Sequence, residues 1–328
     1  MSAGLGGWLL RRLLAAGLLL LLVASATFVL LHALPGDPTD LLLDPRVPES
    51  ARADLRRLWG LDQPVATQYL RWLAAAARGD WGTSFVHRRP VAAVVAEALP
   101  YTLLLGGAAL LVQLGLAVPL GVLAARRPGG ALDQLLRGAS LLLYSLPTFW
   151  LALMALLLLA YRWPLFPAGH ARAPGAGGDA LSLLWHLALP ALVLGVAAAG
   201  GLLRLVRGSL LEALGAEPLR AARARGVPEA RVVWLHGMRQ AAGPVLQLLG
   251  LTLPALFAGA LVVEVAFSWP GMGRVTWLAL RQQDVALALA CTAWTGALAV
   301  AGTLLADLLA AAADPRQRQR LWGDAPRA

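Results

Sequence analysis

The chain has 328 residues, of which 59% are apolar and 14% are charged, well below the roughly 25% charged share of an ordinary soluble domain. Lipid must therefore be the solvent for much of the chain, which excludes a typical soluble enzyme. The net charge of +10 comes entirely from an excess of arginine, since the sequence contains no lysine.

Six uncharged stretches are long enough for a helix of about 20 residues to cross the hydrocarbon core of a bilayer. Each is rich in leucine, alanine and valine, and such a segment in lipid must be helical to satisfy its backbone hydrogen bonds. The stretches are 13–36, 98–125, 138–161, 180–203, 240–263 and 285–306. We therefore predict an all-α integral membrane protein with six transmembrane helices.

The first stretch has an alternative interpretation as a cleaved signal peptide. Arg11 and Arg12 precede it, and the Ala-Ser-Ala triplet at 24–26 resembles a cleavage site. Apolar sequence nevertheless continues to Leu34, which is too long for an ordinary signal core and suits a retained span. We predict that residues 1–36 contain an N-terminal transmembrane helix.

A long connection at 37–97 follows the first span. It carries eight arginines and eight acids, and its segments 48–59 and 65–78 show apolar residues at helical spacing. We predict a small folded cap outside the cytoplasm rather than a spacer. Whether the cap docks a partner or is only a solvated surface stays open at this point.

The placement of arginine predicts the orientation. With six spans both termini lie on one side, and the short loops and tails of that side carry 16 arginines, against four in the two short opposite loops. The cap is left out because long loops cross the membrane largely regardless of charge. We predict a multi-pass protein of the cytoplasmic (inner) membrane with both termini in the cytoplasm, a transmembrane domain over 98–310 and a cytoplasmic tail at 311–328.

The loop at 208–239, between the fourth and fifth spans, has more helix signals than a connection needs. Glu217 and Pro218 favour a helix start, and Gly226 favours its end. The chain restarts at Pro228, and an apolar stripe leads into the fifth span: Val232, Val233, Leu235 and Met238. We predict two short helices on the cytoplasmic surface. From composition alone, the alternative is an amphipathic hairpin resting on anionic lipid.

Two strings in this region, RAARARG at 220–226 and HGMRQAAGPVL at 236–246, resemble the cytoplasmic EAA-type loop of ABC importer permeases. Five further strings resemble the dipeptide, oligopeptide and nickel branch of that family. They are LPGDP at 34–38, GLDQP at 60–64, GDWGTSF at 79–85, FSWPGMGR at 267–274 and DPR at 314–316. Their order and their places relative to six spans make coincidence improbable.

The resemblance implies a coupling helix in the loop, which fits a groove on an ATPase subunit. It places Arg220, Ala221, Ala222 and Gly226 in that contact, the last three as small residues that permit close packing. Arg220 stands where the family usually has an acid, which puts an acid-dependent contact in doubt.

The resemblance also implies the partners. They are a second related permease, two ATPase subunits and an extracytoplasmic solute-binding protein, together with the lipid bilayer and no nucleic acid. Homodimerisation is the alternative to pairing with a different permease. Peptides are the predicted solute, and nickel or another small solute is the alternative within this family.

No cofactor is predicted in this chain. A standard phosphate-binding loop needs a lysine, so ATP and Mg²⁺ would be bound by the partner ATPases. The single cysteine, Cys291, excludes an intrachain disulfide, and the five scattered histidines lack the spacing of a metal site. No catalytic residue is predicted, because the spans show no nucleophile with a base. An ATP-independent transporter or channel is the alternative of another class, and the charge-poor spans argue against it.

Glu264 and the turn Trp269-Pro270-Gly271 are candidates for a gate or an intramembrane polar site. An ionisable residue at membrane depth costs about 2.5 to 3.5 kcal/mol on insertion scales, so it usually faces a cavity or a partner. For Glu264 the alternative is an ion pair with Arg274 or Arg281. For the turn, the alternatives are a re-entrant element and an ordinary connection with tryptophans at the headgroup level.

Overall fold

The computed structural model describes residues 5–33, 48–173, 175 and 178–313. Helices dominate this part of the chain, which contains no strand and one isolated bridge, between Thr83 and Pro90. The predicted all-α class is confirmed. The strings at 34–38 and 314–316, the start of the predicted cap and nearly all of the predicted tail lie outside the described residues.

We number eleven helices in the described residues. Their bounds are α1 Leu5–Ala33, α2 Glu49–Trp59, α3 Val65–Ala76, α4 Val91–Arg126, α5 Ala131–Ser145, α6 Thr148–Arg162, α7 Ala180–Gly215, α8 Glu217–Ala224, α9 Glu229–Ala266, α10 Met272–Arg281 and α11 Val285–Ala313. Two of them contain π-helical turns, α6 over Leu156–Arg162 and α9 over Val232–Gly237.

Five of these helices, α1, α4, α7, α9 and α11, are long and apolar enough to cross a membrane. The pair α5 and α6 passes the same test but bends by 101° at its break, where the sequence predicted one continuous helix over 138–161. Pro147 explains the bend, because proline has no N–H and disfavours the helical conformation in the residue before it. Leu146 is accordingly extended (φ −81°, ψ 131°). The count is five spans, or six with the bent pair as one.

The chain divides into two compact units. The first comprises Met1–Leu13, Leu104–Trp269 and Leu298–Ala328, and the second comprises Leu14–Leu103 and Pro270–Ala297. Helices α5 to α9 therefore belong to the first unit, while α2, α3 and α10 belong to the second.

Helix α5 of the first unit is fixed to α7 by a buried ion pair. Arg207 donates from Nε and Nη2 to the two carboxylate oxygens of Asp133, at 2.5 and 2.7 Å, and the side chain of Asp133 is fully buried. The Gly129 N–H adds a bond of 2.8 Å. Breaking such a pair leaves an uncompensated buried charge, which is strongly destabilising. Asp133 and Arg207 therefore set the place of α5 along α7.

Further along the same contact, the backbone of α5 touches α7 directly. A Cβ on Gly200 would lie 2.5 Å from the carbonyl oxygen of Ser140, so only glycine fits. Arg204 donates to that same oxygen at 3.1 Å and lies over the ring of Tyr144, 4.8 Å from its centroid. Small residues commonly permit such close approaches between membrane helices.

In the second unit, α2 and α3 occupy the segments that the sequence predicted to be helical within the cap. Helix α3 lies against α1, with 2.6 Å between Tyr69 Oη and Ser25 Oγ. The loop that follows is tied to the start of α11, because Ser84 Oγ donates to the buried carboxylate of Asp284 at 2.6 Å. The described part of the segment at 37–97 thus contains two helices, and a folded cap outside the cytoplasm stays a prediction.

Candidate functional site

Helix α8 is a short helix of eight residues between two long ones, α7 and α9. Helix α7 ends at Gly215, and the extended Ala216 (φ −74°, ψ 148°) turns the chain. Glu217 and Pro218 then occupy the first turn of α8. An acid there complements the helix dipole, and a proline there has no N–H to leave unsatisfied. The start of α8 agrees with the predicted one.

Helix α8 ends in a Schellman motif. The Val227 N–H donates to the Ala222 carbonyl at 3.2 Å, and the Gly226 N–H donates to the Arg223 carbonyl at 2.9 Å. Gly226 itself adopts φ +77°, a left-handed conformation that only glycine adopts without a steric penalty. Gly226 therefore creates the corner from which the chain continues into α9.

The inner face of α8 packs onto its own chain. Leu219 and Ala222 are 1% and 5% exposed, and they form a small apolar core with Val232 of α9. Leu214 of α7 and Val227 pack against this core. Ala222 is therefore enclosed by this chain, and its predicted place in a contact with an ATPase stays a prediction.

The outer face of α8 presents the other predicted contact residues. Arg220, Ala221 and Gly226 are all exposed, and a Cβ on Gly226 would meet no atom within 4 Å. The structure thus brings three of the four predicted residues to one accessible surface. Their contact with an ATPase stays a prediction.

Arg223 differs from the other arginines of α8 because it joins three helices. Its Nε and Nη2 donate to the two carboxylate oxygens of Glu229 at the start of α9, each at 3.0 Å, and its Nη1 donates to the Leu214 carbonyl of α7 at 3.0 Å. The side-chain hydrogen bonds to Glu229 raise the pKa of Arg223 above its ordinary value. An ion pair this exposed usually contributes only about 0.2 to 1 kcal/mol to stability, so its main effect is on orientation.

The second predicted short helix is not separate. The chain from Glu229 to Ala266 is one helix of 38 residues, and its π-helical turns over Val232–Gly237 accommodate extra residues without a break. Val232 and Val233 are buried, whereas Leu235 is 57% exposed, so the predicted apolar stripe is only partly a packing surface. Helix α8 is therefore attached directly to the long helix α9.

A groove of about 340 Å³ lies among α5, α6, α7 and α9 in the first unit. Its walls are mostly apolar, and the only hydroxyl groups of the lining belong to Tyr144, Thr148 and Thr252. The remaining lining residues are Leu194, Ala197, Ala198, Gly201, Leu202, Leu248, Leu251, Ala255 and Leu256. Most of the lining thus comes from α7 and α9, the two helices that Arg223 connects.

Glu264 and Trp269, two of the predicted gate residues, are both fully buried. The Trp269 N–H donates to the Glu264 carbonyl at 2.8 Å and closes the turn after α9. A buried Trp269 cannot anchor the turn at the headgroup level, although Trp277 is 42% exposed. The gate role of these residues, of the partly buried Pro270 and of the buried Gly271 stays a prediction, as does the pairing of Glu264 with arginine.

The described residues contain no group of three or more His, Cys, Asp or Glu side chains that could hold a metal ion. Cys291 is buried in α11.

Replacing Ala222 with glutamate should detach α8 from its own chain, because a buried polar group without a partner costs about 1 to 3 kcal/mol, and more when charged. Trypsin should then cleave the isolated permease at the arginines of α8 at least about five times faster, since 1.4 kcal/mol is a factor of ten. The matched control is Ala221→Glu on the exposed face, which should be cleaved at the wild-type rate. Equal rates in the two variants would contradict the packing described.

Comparison with known families gives two matches that together span most of the chain. Residues 117–319 match the binding-protein-dependent transport system inner membrane component. Residues 6–106 match the N-terminal domain of the binding-protein-dependent transport system membrane component. The first match contains α8, the groove and the predicted gate, and the second contains α1, α2 and α3.

Curated relatives match over nearly their whole length. The oligopeptide transport system permease protein AppB of Bacillus subtilis is 36% identical over 313 residues, which cover 95% of this chain and 99% of the relative. The dipeptide transport system permease protein DppB of Escherichia coli is 32% identical over 322 residues, which cover 91% and 94%. These relatives are transport permeases and not enzymes. The chain therefore belongs to the family of binding-protein-dependent transport system inner membrane components, as a permease of the peptide ABC importer type.

Proposed function

We propose that this chain is one of two permease subunits that form the path of an ABC importer for peptides. A solute-binding protein delivers the peptide, and two partner ATPases that bind ATP and Mg²⁺ drive its passage. The observation that carries the proposal is α8, a short helix with an exposed outer face, fixed to two helices long enough to span the membrane. A movement of α8 by a cytosolic partner would reach both helices.

Orientation supports the same proposal. The excess of arginine on the terminal side supports a cytoplasmic position for both termini, and for α8 with them, and the cytoplasm is where ATPases work. The chain itself has no lysine and therefore no standard phosphate-binding loop, so the energy source lies in another polypeptide.

Peptides are the solute that the groove and the relatives favour. The groove has small and apolar walls with three hydroxyl groups, a lining suited to varied side chains, and the named relatives transport oligopeptides or dipeptides. A groove of about 340 Å³ in one chain gives little room for a peptide, which is why we propose a second permease beside it, in a heterodimer. Nickel is the second candidate within this family.

Reconstitution tests the proposal. The permease should be placed in liposomes with its second permease, its ATPases and its binding protein, and uptake of labelled dipeptides, labelled oligopeptides and nickel should be measured with and without ATP. We expect peptide uptake only with ATP and Mg²⁺. If nickel is taken up and peptides are not, nickel replaces peptides as the proposed solute. Uptake of any of these solutes without an ATPase would favour an ATP-independent transporter. Subunit counting in the purified complex separates heterodimer from homodimer.

A further inference from the structure

Arg223 lies on the arginine-rich helix α8, yet its guanidinium is already occupied by this chain. All three of its bonds, two to Glu229 and one to Leu214, are 3.0 Å long. Arg220 is exposed and, in the described part of the chain, has no ion pair within 4 Å. Arg223 therefore differs from Arg220 in that its guanidinium is bound within this chain.

The two groups that Arg223 binds belong to two helices other than its own. Leu214 is in the last turn of α7, where backbone carbonyls have no partner within the helix, and a cation is favoured there by the helix dipole. Glu229 is the first residue of α9, where an acid is favoured for the same reason. A planar guanidinium can serve both at once, because its donors form a rigid fork that a lysine lacks.

The apolar contact beneath Arg223 does not by itself fix the direction of α8. Leu219, Ala222 and Val232 form a core of three buried residues, with the partly buried Leu214 and Val227 packed against it, and apolar contacts have no preferred direction. The directional bonds of Arg223 add orientation, since they join the C-terminal end of α8 to both α7 and α9.

From this geometry we infer that Arg223 is a positioning residue, which makes α7, α8 and α9 one rigid lever acting on the groove. Arg223 does not contact the ATPase. It transmits the movement of α8 to the helices that supply most of the groove lining. The inference rests on the proposed function, because α7, α8 and α9 can act on the groove as one rigid unit only if an ATPase moves α8.

Loss of Arg223 should loosen the lever without preventing assembly. In a Cys291→Ala background, spin labels at Glu212 on α7 and Ala224 on α8 occupy exposed positions. The distribution of distances between the two labels should be measured by pulsed electron paramagnetic resonance in the assembled complex. It should widen in Arg223→Ala and in Glu229→Gln. Arg223→Lys should be intermediate. Arg225→Ala is the matched control, because among the described residues the hydrogen bond of the Arg225 side chain is to its own helix, at the Ala221 carbonyl.

The same variants should change the number of peptides imported per ATP hydrolysed. We expect this ratio to fall by up to about fivefold in Arg223→Ala, the size of effect that an exposed ion pair can have, with ATPase subunits still bound, and to stay at the wild-type value in Arg225→Ala. The charge exchange Arg223→Glu with Glu229→Arg should recover part of the ratio, because it restores the ion pair but not the bond to Leu214.

Two results would overturn the inference. One is a wild-type ratio in Arg223→Ala, whatever the label distances show. The other is loss of ATPase subunits from Arg223→Ala as the sole defect, which would mean a direct contact. Both results are compatible with the proposed function. Peptide import by the wild-type complex without ATP would instead contradict the proposed function itself.

Discussion

Replacing Gly226 with isoleucine is expected to uncouple ATP hydrolysis from peptide uptake while the protein still enters the membrane. Gly226 has φ +77°, and an L-residue in the left-handed region costs about 1 to 2 kcal/mol, so the ratio of intact to altered corners should fall roughly five- to thirtyfold. No atom lies within 4 Å of the added Cβ. The effect must therefore come from the backbone or from a partner. Uptake and ATP hydrolysis should be measured on the same reconstituted complex.

The control for this variant is Gly226→Asn. Asparagine tolerates the left-handed conformation better than other non-glycine residues, so uptake by this variant should lie close to wild type. If asparagine and isoleucine are equally harmful, side-chain size at a partner surface decides the effect and backbone strain does not. Undiminished uptake by Gly226→Ile would contradict the role of the corner.

Replacing Gly200 with alanine is expected to destabilise the permease, although alanine favours helices over glycine by about 1 kcal/mol. The new Cβ would lie 2.5 Å from the Ser140 carbonyl oxygen, and a backbone atom cannot rotate away. Helix α5 must then shift from α7, which strains the bond from Arg204 to that oxygen and the pair between Asp133 and Arg207. Overpacking of this kind typically costs about 1 to 3 kcal/mol.

The neighbouring Gly201 provides a matched control on the same helix. A Cβ there would meet only the ring of Tyr144, at 3.9 Å, which is an ordinary contact. Thermal unfolding in detergent, followed by size exclusion, should show a lower midpoint for Gly200→Ala and an equal or higher one for Gly201→Ala. A lower midpoint for both, or for neither, would contradict the close contact between α5 and α7.

The sequence predicts most of the helices because their causes are local. Long uncharged stretches predict the spans, and Glu217, Pro218 and Gly226 predict the bounds of α8 to within two residues. The bend at Pro147 was missed because proline within a long apolar stretch is often tolerated in membrane helices. The continuity of α9 was missed because Pro228 starts the long helix itself, and no local signal reports the π-helical turns that follow.

The candidate site is less predictable because its contacts join distant residues. Asp133 and Arg207 are 74 residues apart, and nothing in their spacing indicates a pair. The same holds for the groove, whose walls come from four helices. For Ala222 the sequence identified a small residue on α8, but only the packing shows that it faces this chain. Arg223 and Glu229 are six residues apart, and the turn at Gly226 between them removes any helical register.

The side of the membrane on which α8 lies can be measured by labelling a cysteine in it from each side. A single cysteine at Ala224, in the Cys291→Ala background, should be treated with a membrane-impermeant maleimide in intact cells and in inverted membrane vesicles, with and without the ATPase subunits. The account predicts labelling only in inverted vesicles and slower labelling when the ATPases are bound. Labelling from outside intact cells, or no protection by the ATPases, would contradict it.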